Sequence, residues 1–490
     1  MPQQWVQATS IGLLRLQIHD SGLALQRMNA PADWHFSGKE HKISARADMK
    51  DINLSSYGQI SSNPSPVNRM MADFASGFRD GVDINLGVGY VNERTIPAAG
   101  IHEALGVVIR NPEKYRQALN YGGSAGSQNL IDSIRHFLVE NRVGGLTESI
   151  LRDREIIIGP NGATSLLESL AYVLPEGIVV TTDPMYYIYT NFLERRGREL
   201  LAVPEDEEGI RTDLLESKLA ALGKNADRVT YFYVVTVSNP TSTILSNRRR
   251  RELVGLVSRF CSNIGRKVPL VLDRAYEDLV HDPEVGPIES GLLSDEAGIV
   301  YEVGTLSKVL APALRVGYMI GRGGPFINAM IQRTSDAGLS APLITQEISS
   351  WLLDHQIGKQ LESVRAGYRT KARALRAWVD EQLGGELESV SGGSAGFYLY
   401  LTFRRIETCE GSPFFRYLTR TTGDESIDGP KADRKPRVLY IPGEICVHPR
   451  GDMTGIGRRQ LRLSYGYEEL DMLHRSIDLM KEAAEFARTR

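Results

Sequence analysis

Short, almost continuously apolar runs recur between residues 155 and 321 and alternate with segments of helical periodicity. The runs are EIIIG, GIVVTTD, VTYFYVVTV, VPLVLD, IVYEVGT and RVGYMIG. Strict alternation of apolar and polar residues would indicate strands with one solvated face, whereas continuous runs indicate strands buried on both faces. Helices between such strands cover both faces of a parallel sheet. We therefore predict an α/β domain with a mostly parallel sheet flanked by helices.

The segments on either side of this region have a different character. Residues 1–80 are polar and interrupted by prolines, which predicts an irregular N-terminal arm or extension. Residues 111–325 form the predicted large domain. A smaller α+β domain is predicted from residues 81–110 together with residues 326–490, where a long helical tract precedes the apolar strand FYLYLTF. The charged stretch at 421–436 is predicted to be an insertion in this smaller domain.

Charge and cysteine content exclude several classes of protein. The chain has 57 Lys and Arg against 60 Asp and Glu, so its net charge of −3 provides no general attraction for nucleic acid. No apolar run approaches the about 18 residues of a membrane span. The cysteines at 261, 409 and 446 are three in number and far apart, which favours a reducing compartment over disulfides or a thiolate metal site. We expect a cytoplasmic protein without metal, nucleic acid or membrane partners.

Two other patterns carry little functional weight. GGSAG occurs at 122–126 and at 392–396, but neither copy sits between a predicted strand and a predicted helix, as the nucleophile of a serine hydrolase requires. The run of arginines at 248–251 is predicted to be the solvated start of a helix.

Polar side chains cluster instead where the apolar strands end. Lys308 follows the strand IVYEV within GTLSKVLAPALRVGY, with Thr305 and Ser307 before it and Arg315 seven residues after it. One loop thus offers an amine, two hydroxyls and a guanidinium to an anionic ligand. Since ligands of open α/β sheets bind at the carboxyl ends of strands, this loop is a candidate site, although a single lysine after a strand is usually just solvated.

Three further residues lie at or just after the ends of predicted strands. Asp273 ends VPLVLD, Tyr276 follows it in DRAY, and Asn239 follows VTYFYVVTV in SNPT. Each residue alone also suits a turn or a cap. The combination with the loop around Lys308 is what points to a binding site.

Taken together, these residues resemble the fold-type I pyridoxal-phosphate enzymes, specifically the class I/II aminotransferase family. The resemblance extends over about residues 84–467. The family's S-x-S-K and following arginine are matched by the loop at 305–315, its N-P-T-G by the sequence at 239–242, and its D-x-A-Y by the sequence at 273–276. It implies the pyridoxal-phosphate transferase fold, with a large sheet of the seven-stranded type, and an internal aldimine between the cofactor and Lys308.

The resemblance also implies roles for individual side chains. Lys308, Asp273 and Tyr276 would be catalytic, with Asp273 holding the proton of the ring nitrogen. Tyr186 in DPMYYIY would stack on the ring, and Tyr121 would reach the phosphate bound in the other subunit. The residues implied to bind pyridoxal 5'-phosphate are Asn161, Gly162, Ala163, Tyr186, Asn239, Asp273, Tyr276, Thr305, Ser307, Lys308, Arg315 and Tyr121.

The ends of two predicted elements are expected to bind the charged groups of the ligands. The helix that opens at GATSLLESLAYVL is expected to offer free N–H groups of Asn161 and Gly162 to the phosphate. Arg462 in LRLSY, with Gly89 in INLGVGY and Asn239, is implied to hold the carboxylate of the substrate. The chain departs from the family pattern at Ser242 and Ala313, where glycine is common.

The resemblance implies a homodimeric aminotransferase with shared active sites, which moves an amino group between an α-amino acid and a 2-oxo acid. The same scaffold also supports other reactions. The alternatives are a pyridoxal-phosphate lyase that catalyses β-elimination or C–S cleavage, and a decarboxylating or cyclising enzyme. A third alternative is a regulatory module without catalysis, which the absence of a basic helix-turn-helix pattern in residues 1–80 disfavours.

Overall fold

The apolar runs of the sequence form a single large sheet in the computed structural model, which describes residues 52–490. In chain order the strands are β1 (Ile84–Asn85), β2 (Arg154–Ile158), β3 (Ile178–Asp183), β4 (Glu199–Asp206), β5 (Gly209–Ile210), β6 (Val229–Val235), β7 (Leu270–Asp273), β8 (Val300–Thr305), β9 (Gly317–Arg322), β10 (Leu387–Gly392), β11 (Tyr398–Phe403), β12 (Val438–Leu439), β13 (Ile441–Pro442) and β14 (Gln460–Ser464).

Helices connect these strands and cover both faces of the sheet. In chain order the helices are α1 (Ser56–Ser61), α2 (Pro66–Ala75), α3 (Ala98–Arg110), α4 (Gln128–Glu140), α5 (Glu148–Leu151), α6 (Gly162–Val173), α7 (Tyr187–Arg195), α8 (Thr212–Ala221), α9 (Asn247–Asn263), α10 (Pro325–Gly338), α11 (Leu343–His355), α12 (Ile357–Leu383), α13 (Pro413–Thr419), α14 (Glu425–Asp428), α15 (Gly443–Cys446), α16 (Thr454–Gly457) and α17 (Leu470–Arg488). Within the described residues, no helix combines the length and the hydropathy that a membrane span requires.

The large sheet is parallel in its centre and antiparallel towards its edges. Its strand order is β2, β9, β8, β7, β6, β3, β4, β5, and the pairs from β8 across to β4 are parallel. The reversed strand β9 lies between β2 and β8, and the two-residue strand β5 adds an eighth member at the far edge. The predicted α/β fold with a mostly parallel sheet is confirmed.

The register of the central strands brings the predicted site residues to one edge. Asp273, the last residue of β7, pairs with Val235 at the end of β6 and with Val303 in β8. The segments that follow β6 and β8 carry Asn239 and Lys308. Because all three strands run in the same direction, their polar residues meet at the carboxyl edge of the sheet.

A four-stranded antiparallel sheet forms from residues 387–464, with strand order β10, β11, β14, β13. It contains the predicted strand FYLYLTF, and it pairs Tyr400 of β11 with Arg462 of β14. The long helical tract predicted after residue 325 is present as α10, α11 and α12, and the closing helix is α17.

The segment predicted to be an irregular arm contains two helices where the structure describes it. The side chains of Ser55 and Ser65 accept hydrogen bonds at the starts of α1 and α2, and Met70 and Phe74 of α2 are buried. The prediction of an irregular segment is therefore wrong for residues 56–75, because serine caps and a short apolar face form helices in a polar sequence. Residues 1–51 of the predicted arm lie outside the described residues. Residues 54–490 form one compact unit, and the domain limits at 80, 110 and 325 stay predictions.

Candidate active site

A cavity of about 130 Å³ opens at the carboxyl edge of the large sheet. It lies over the ends of β6, β7 and β8 and beside the first turn of α6. Nine of the predicted site residues line it. The lining is formed by Ala163, Thr164, Leu167, Tyr186, Val235, Asn239, Asp273, Ala275, Tyr276, Thr305, Ser307, Lys308, Pro312 and Arg315.

Lys308 lies in the turn that follows β8, and its amine is almost enclosed by protein. Nζ donates a hydrogen bond to the carbonyl oxygen of Gly89 at 3.0 Å. Burial, together with the positive charges of Arg462 and Arg315, lowers the pKa of the Lys308 amine to about 8. A lysine with such a pKa is partly uncharged near neutral pH, and an uncharged amine is a nucleophile towards an aldehyde.

Asp273 is a buried carboxylate that is bonded only to uncharged groups among the described residues. The hydroxyl of Tyr233 donates to Oδ2 at 2.8 Å, and the backbone N–H of Ala275 donates to Oδ1 at 3.0 Å. Burial outweighs these two hydrogen bonds and raises the pKa of Asp273 to about 6. Such a group is suited to a cationic ligand, because a positive charge offsets the cost of burying the carboxylate.

Arg462 and Asn239 form a second polar group beside the cavity. Nη1 of Arg462 donates to Oδ1 of Asn239 at 2.7 Å, and Nη2 donates to the carbonyl oxygen of Gly87 at 2.6 Å. Nε of Arg462 is buried and has no hydrogen-bond partner within residues 52–490. The guanidinium lies against the ring of Tyr398, 4.3 Å from its centroid. A planar fork with an unused donor is suited to a carboxylate.

Arg315 joins the loop after β8 to the start of α6. Its Nε donates to Oδ1 of Asn161 at 2.8 Å, and its Nη2 donates to the carbonyl oxygen of Asn161 at 3.0 Å. A Cβ atom on Gly162 would lie only 2.8 Å from Nη2 of Arg315, and Gly162 has a φ of +71°, so this turn favours glycine. The backbone N–H of Asn161 donates to Oγ of Ser165, so the prediction that this N–H is free was wrong.

The two hydroxyls that precede Lys308 fix the loop. Oγ1 of Thr305 lies 2.9 Å from the carbonyl oxygen of Val316 and 3.0 Å from Oγ of Ser307. The backbone N–H of Ser307 donates to Oγ1 of Thr305 at 3.2 Å. These bonds tie the residues before Lys308 to Val316, the residue after Arg315, and both Lys308 and Arg315 line the cavity.

Three tyrosines of the site were not predicted from the sequence. Tyr233 bonds Asp273, Tyr187 lies near Arg462 with its ring centroid 5.7 Å from the guanidinium, and the Tyr398 hydroxyl lies 2.9 Å from that of Tyr276. Two of them belong to the apolar runs VTYFYVVTV and FYLYLTF. A hydroxyl within a strand that is buried on both faces is the signal that points to such residues, because a buried hydroxyl needs a partner.

Tyr121 is the predicted site residue that lies away from the cavity. Its side chain is 69% exposed, and Leu119 and Leu339 near it in the fold are also exposed, at 79% and 52%. Ser124 donates to the carbonyl oxygen of Leu339, which ties these two surface segments together. Gly89, Arg462, Asn161 and Gly162 also lie outside the cavity lining, but each contacts a residue that lines it.

A buried charge network lies next to Asp273 and Tyr276. Arg250 donates to Glu277 at 2.7 Å, and Arg274 bonds both Glu277 at 2.5 Å and Glu302 at 2.7 Å. The run at 248–251 does begin helix α9, but Arg250 is 1% exposed, so the prediction of a solvated run was wrong for that residue and for Arg249. The cause is a set of carboxylates far away in the sequence that pair with these arginines.

Ser242 takes the place where the family pattern has glycine. Its φ of +54° is in the left-handed region that favours glycine. Its Oγ is buried and has no hydrogen-bond partner within the described residues. Serine at this position therefore carries both backbone strain and an unsatisfied hydroxyl.

The arrangement fits the cofactor that the resemblance implies. Asp273 offers a buried negative charge to a protonated ring nitrogen, and Lys308 offers an amine of lowered pKa to an aldehyde. Arg315, Thr305 and Ser307 offer a charged fork and hydroxyls to a phosphate at the start of α6. A protonated cofactor ring would offset the free-energy cost of burying the Asp273 carboxylate.

Comparisons with known proteins agree with this assignment. The family described as aminotransferase class I and II matches residues 84–423. The chain is 26% identical over 407 residues to an uncharacterised HTH-type transcriptional regulator of Bacillus subtilis, covering 83% of this chain and 74% of that protein. It is 27% identical over 368 residues to a 2-aminoadipate transaminase of Thermus thermophilus, covering 74% of this chain and 80% of that enzyme. The crystal structure of a multiple substrate aminotransferase from Thermococcus profundus superposes with a TM-score of 0.74 at 20% identity, covering 89% of this chain and 98% of that one.

Proposed function

Since the chain belongs to the aminotransferase class I and II family, we propose that Lys308 holds pyridoxal 5'-phosphate while an amino group passes from an α-amino acid to a 2-oxo acid. The protein is a pyridoxal-phosphate-dependent aminotransferase of fold type I. The observation that carries the proposed site is the pairing, in one cavity, of a lysine with a lowered pKa and a buried carboxylate that, within residues 52–490, is bonded only to uncharged groups.

When bound, the cofactor withdraws electrons from the Cα atom of the substrate. The residues of this chain supply the rest of the chemistry. Lys308 would hold the cofactor through Nζ, and its free amine would accept the proton from the substrate Cα. An amine with a pKa of about 8 both releases and binds a proton near neutral pH. Asp273 would keep the ring nitrogen of the cofactor protonated, and Asn239 and Tyr276 would donate hydrogen bonds to its ring oxygen.

Arg462 orients the substrate in this proposal. Its guanidinium is fixed by Asn239 and Gly87, and its buried Nε remains available for a carboxylate oxygen. Gly89 accepts the hydrogen bond of Lys308 and so places the amine beside the carboxylate site. Holding the carboxylate on one side and the amine on the other sets the direction of the Cα–H bond, which is what an enzyme needs for stereospecific proton removal.

Phosphate binding is proposed for Arg315, Thr305 and Ser307, for Asn161 at the N-cap of α6, and for Gly162 and Ala163 in its first turn. Arg315 already lies against Asn161 and Gly162, so the guanidinium and the helix start face the same space. Tyr186 is proposed to cover one face of the ring, since it lines the cavity next to α6.

Tyr121 is proposed to act in a second copy of the chain. It is exposed together with Leu119 and Leu339, and exposed large apolar side chains of this kind are typical of a subunit interface. In a homodimer formed through this surface, each Tyr121 would contribute to the partner's phosphate site. We further propose that the enzyme acts in the cytoplasm.

The decisive experiment is a single half-reaction. The enzyme loaded with pyridoxal phosphate is mixed with one amino acid at a time and no 2-oxo acid. An aminotransferase converts one equivalent of amino acid per site, yields the aminated form of the cofactor, and then stops. Continuous release of ammonia without amination of the cofactor would identify a lyase and contradict the proposal.

A regulatory role is the second candidate, because the Bacillus subtilis relative that matches this chain over 407 residues is named as a transcriptional regulator. The same experiment separates the two. A regulatory module binds the cofactor on Lys308 but produces no 2-oxo acid from any amino acid of the panel.

A further inference from the structure

Tyr398 connects the two halves of the site. It is the first residue of β11, is 1% exposed, and pairs with Ser464 of β14, two residues beyond Arg462. Its ring lies against the guanidinium of Arg462, 4.3 Å from the ring centroid. Its ring also meets that of Tyr276 edge-on at 5.6 Å between centroids.

The hydroxyl of Tyr398 has a single protein partner within residues 52–490, the hydroxyl of Tyr276 at 2.9 Å. Gly89 leaves room for this hydroxyl, because a Cβ atom there would lie only 2.8 Å from it. Gly89 in turn accepts the hydrogen bond of Lys308. Tyr398 therefore lies among Gly89, Arg462 and Tyr276, and Gly89 is the residue that links it to Lys308.

A hydroxyl has one proton to donate and accepts through its oxygen. If Tyr276 donates its proton to the ring oxygen of the cofactor, its own oxygen accepts from Tyr398. The bonds then run in one direction, from Tyr398 to Tyr276 to the cofactor, and bonds in such a chain strengthen one another.

We propose that Tyr398 is a positioning residue that aims the Tyr276 hydroxyl at the cofactor and supports the Arg462 guanidinium from behind, an inference that rests on the roles proposed above for those two residues. Its hydroxyl acts on cofactor binding through Tyr276, and its ring acts on binding of the substrate carboxylate through Arg462. The two contributions are separable by substitution, because phenylalanine removes only the hydroxyl and leucine removes the ring as well.

The first test follows the absorbance of the lysine-bound cofactor as a function of pH. A hydrogen bond donated to the ring oxygen stabilises the form that has lost its proton, so a weaker bond raises the midpoint of the titration. Tyr398→Phe should raise the midpoint by about half to one pH unit. Tyr400→Phe is the matched control on the same strand, because the Tyr400 hydroxyl donates to Gln460 instead, and its midpoint should equal that of the wild type.

A double substitution shows whether Tyr398 acts through Tyr276. Tyr276→Phe alone should raise the midpoint, and adding Tyr398→Phe should raise it no further. An unchanged midpoint in Tyr398→Phe, or a double variant whose shift equals the sum of the two single shifts, would overturn the inference.

The second test concerns the ring. Tyr398→Leu should raise KM for the amino acid by about threefold to thirtyfold, as expected for the loss of a buried cation–π contact. Tyr398→Phe, which keeps the ring, should change KM by less than about threefold. Equal KM values in the leucine variant and the wild type would refute the role of the ring. Failure of the proposed function is recognisable separately, because the wild-type protein would then show no lysine-bound cofactor.

Discussion

Asp273→Asn should make the cofactor-free protein more stable. In the folded protein, burial raises the pKa of this carboxyl from 3.8 to about 6, so the charged form is disfavoured by folding. At about 1.4 kcal/mol for each pH unit, the rise corresponds to about 3 kcal/mol. Asparagine has the same shape and no charge, and its amide is able to keep the contacts with Tyr233 and Ala275.

The contribution of the Asp273 carboxyl to folding stability changes with pH in a definite direction. A carboxyl with a raised folded-state pKa binds its proton more tightly in the folded protein, so the folded state loses stability as the pH rises from 3.8 through about 6. The cost is complete above that range. The stability gain of Asp273→Asn should therefore be about 3 kcal/mol above pH 6 and should shrink as the pH falls through 6.

The assay is urea unfolding of the cofactor-free wild type and variant at one protein concentration, followed by fluorescence at several pH values. Addition of pyridoxal phosphate should stabilise the wild type more than the variant, because only the wild type offers a carboxylate to the protonated ring. Proton removal from the substrate should slow by orders of magnitude in the variant.

Glu277→Gln is the matched control, since Glu277 is also a buried carboxyl. Although burial acts to raise its pKa, the guanidiniums of Arg250 and Arg274 outweigh burial and hold the pKa well below its usual value. Removing that charge leaves the buried Arg250 without its carboxylate partner and Arg274 with Glu302 alone, so the control should destabilise the protein by about 3–5 kcal/mol. If Asp273→Asn is no more stable than the cofactor-free wild type above pH 6, the argument that Asp273 has no charge partner among the described residues is refuted.

Three further outcomes follow from the site. Arg462→Lys should raise KM for amino acids with a smaller effect on kcat, because a point charge cannot replace a planar fork, and an unchanged KM would remove this residue from the carboxylate site. Ser242→Gly should stabilise the protein by about 1 kcal/mol, because it relieves the left-handed backbone strain and removes the buried hydroxyl. Ser242→Ala removes only the hydroxyl, so thermal unfolding of the two variants separates the two contributions. Mixing inactive Lys308→Ala and Tyr121→Ala subunits should restore part of the activity if Tyr121 acts in the partner's site, while mixed dimers without activity, confirmed by mass, would refute the shared site.

The sequence predicted most of the large sheet because continuous apolar runs have one common cause, burial on both faces. The same reasoning placed Lys308, Asp273 and Asn239 together, since parallel strands deliver their carboxyl ends to a single edge. These are local sequence patterns, so one amino-acid sequence is enough to predict them.

The role of Tyr398 was not predictable in this way. FYLYLTF contains two tyrosines in one buried strand, and nothing local distinguishes the one that reaches Tyr276 from the one that reaches Gln460. The register of β11 against β14 decides between them, and that register is a property of the folded sheet.

Long-range pairing also explains the wrong expectation for the arginine run. Arg250 is buried because Glu277, 27 residues later in the chain, meets it inside the protein. A charged run at the start of a helix is usually solvated, and only the tertiary contact reverses that expectation.

The attachment of the cofactor to Lys308 is the most direct test of the central claim. The purified protein, loaded with pyridoxal phosphate, is treated with borohydride and digested, and the modified peptide is identified by mass spectrometry. The account predicts one phosphopyridoxyl group, on Lys308 in the peptide that follows β8, and none in Lys308→Ala treated in the same way. A label on another lysine, or equal labelling of the Lys308→Ala protein, would contradict it.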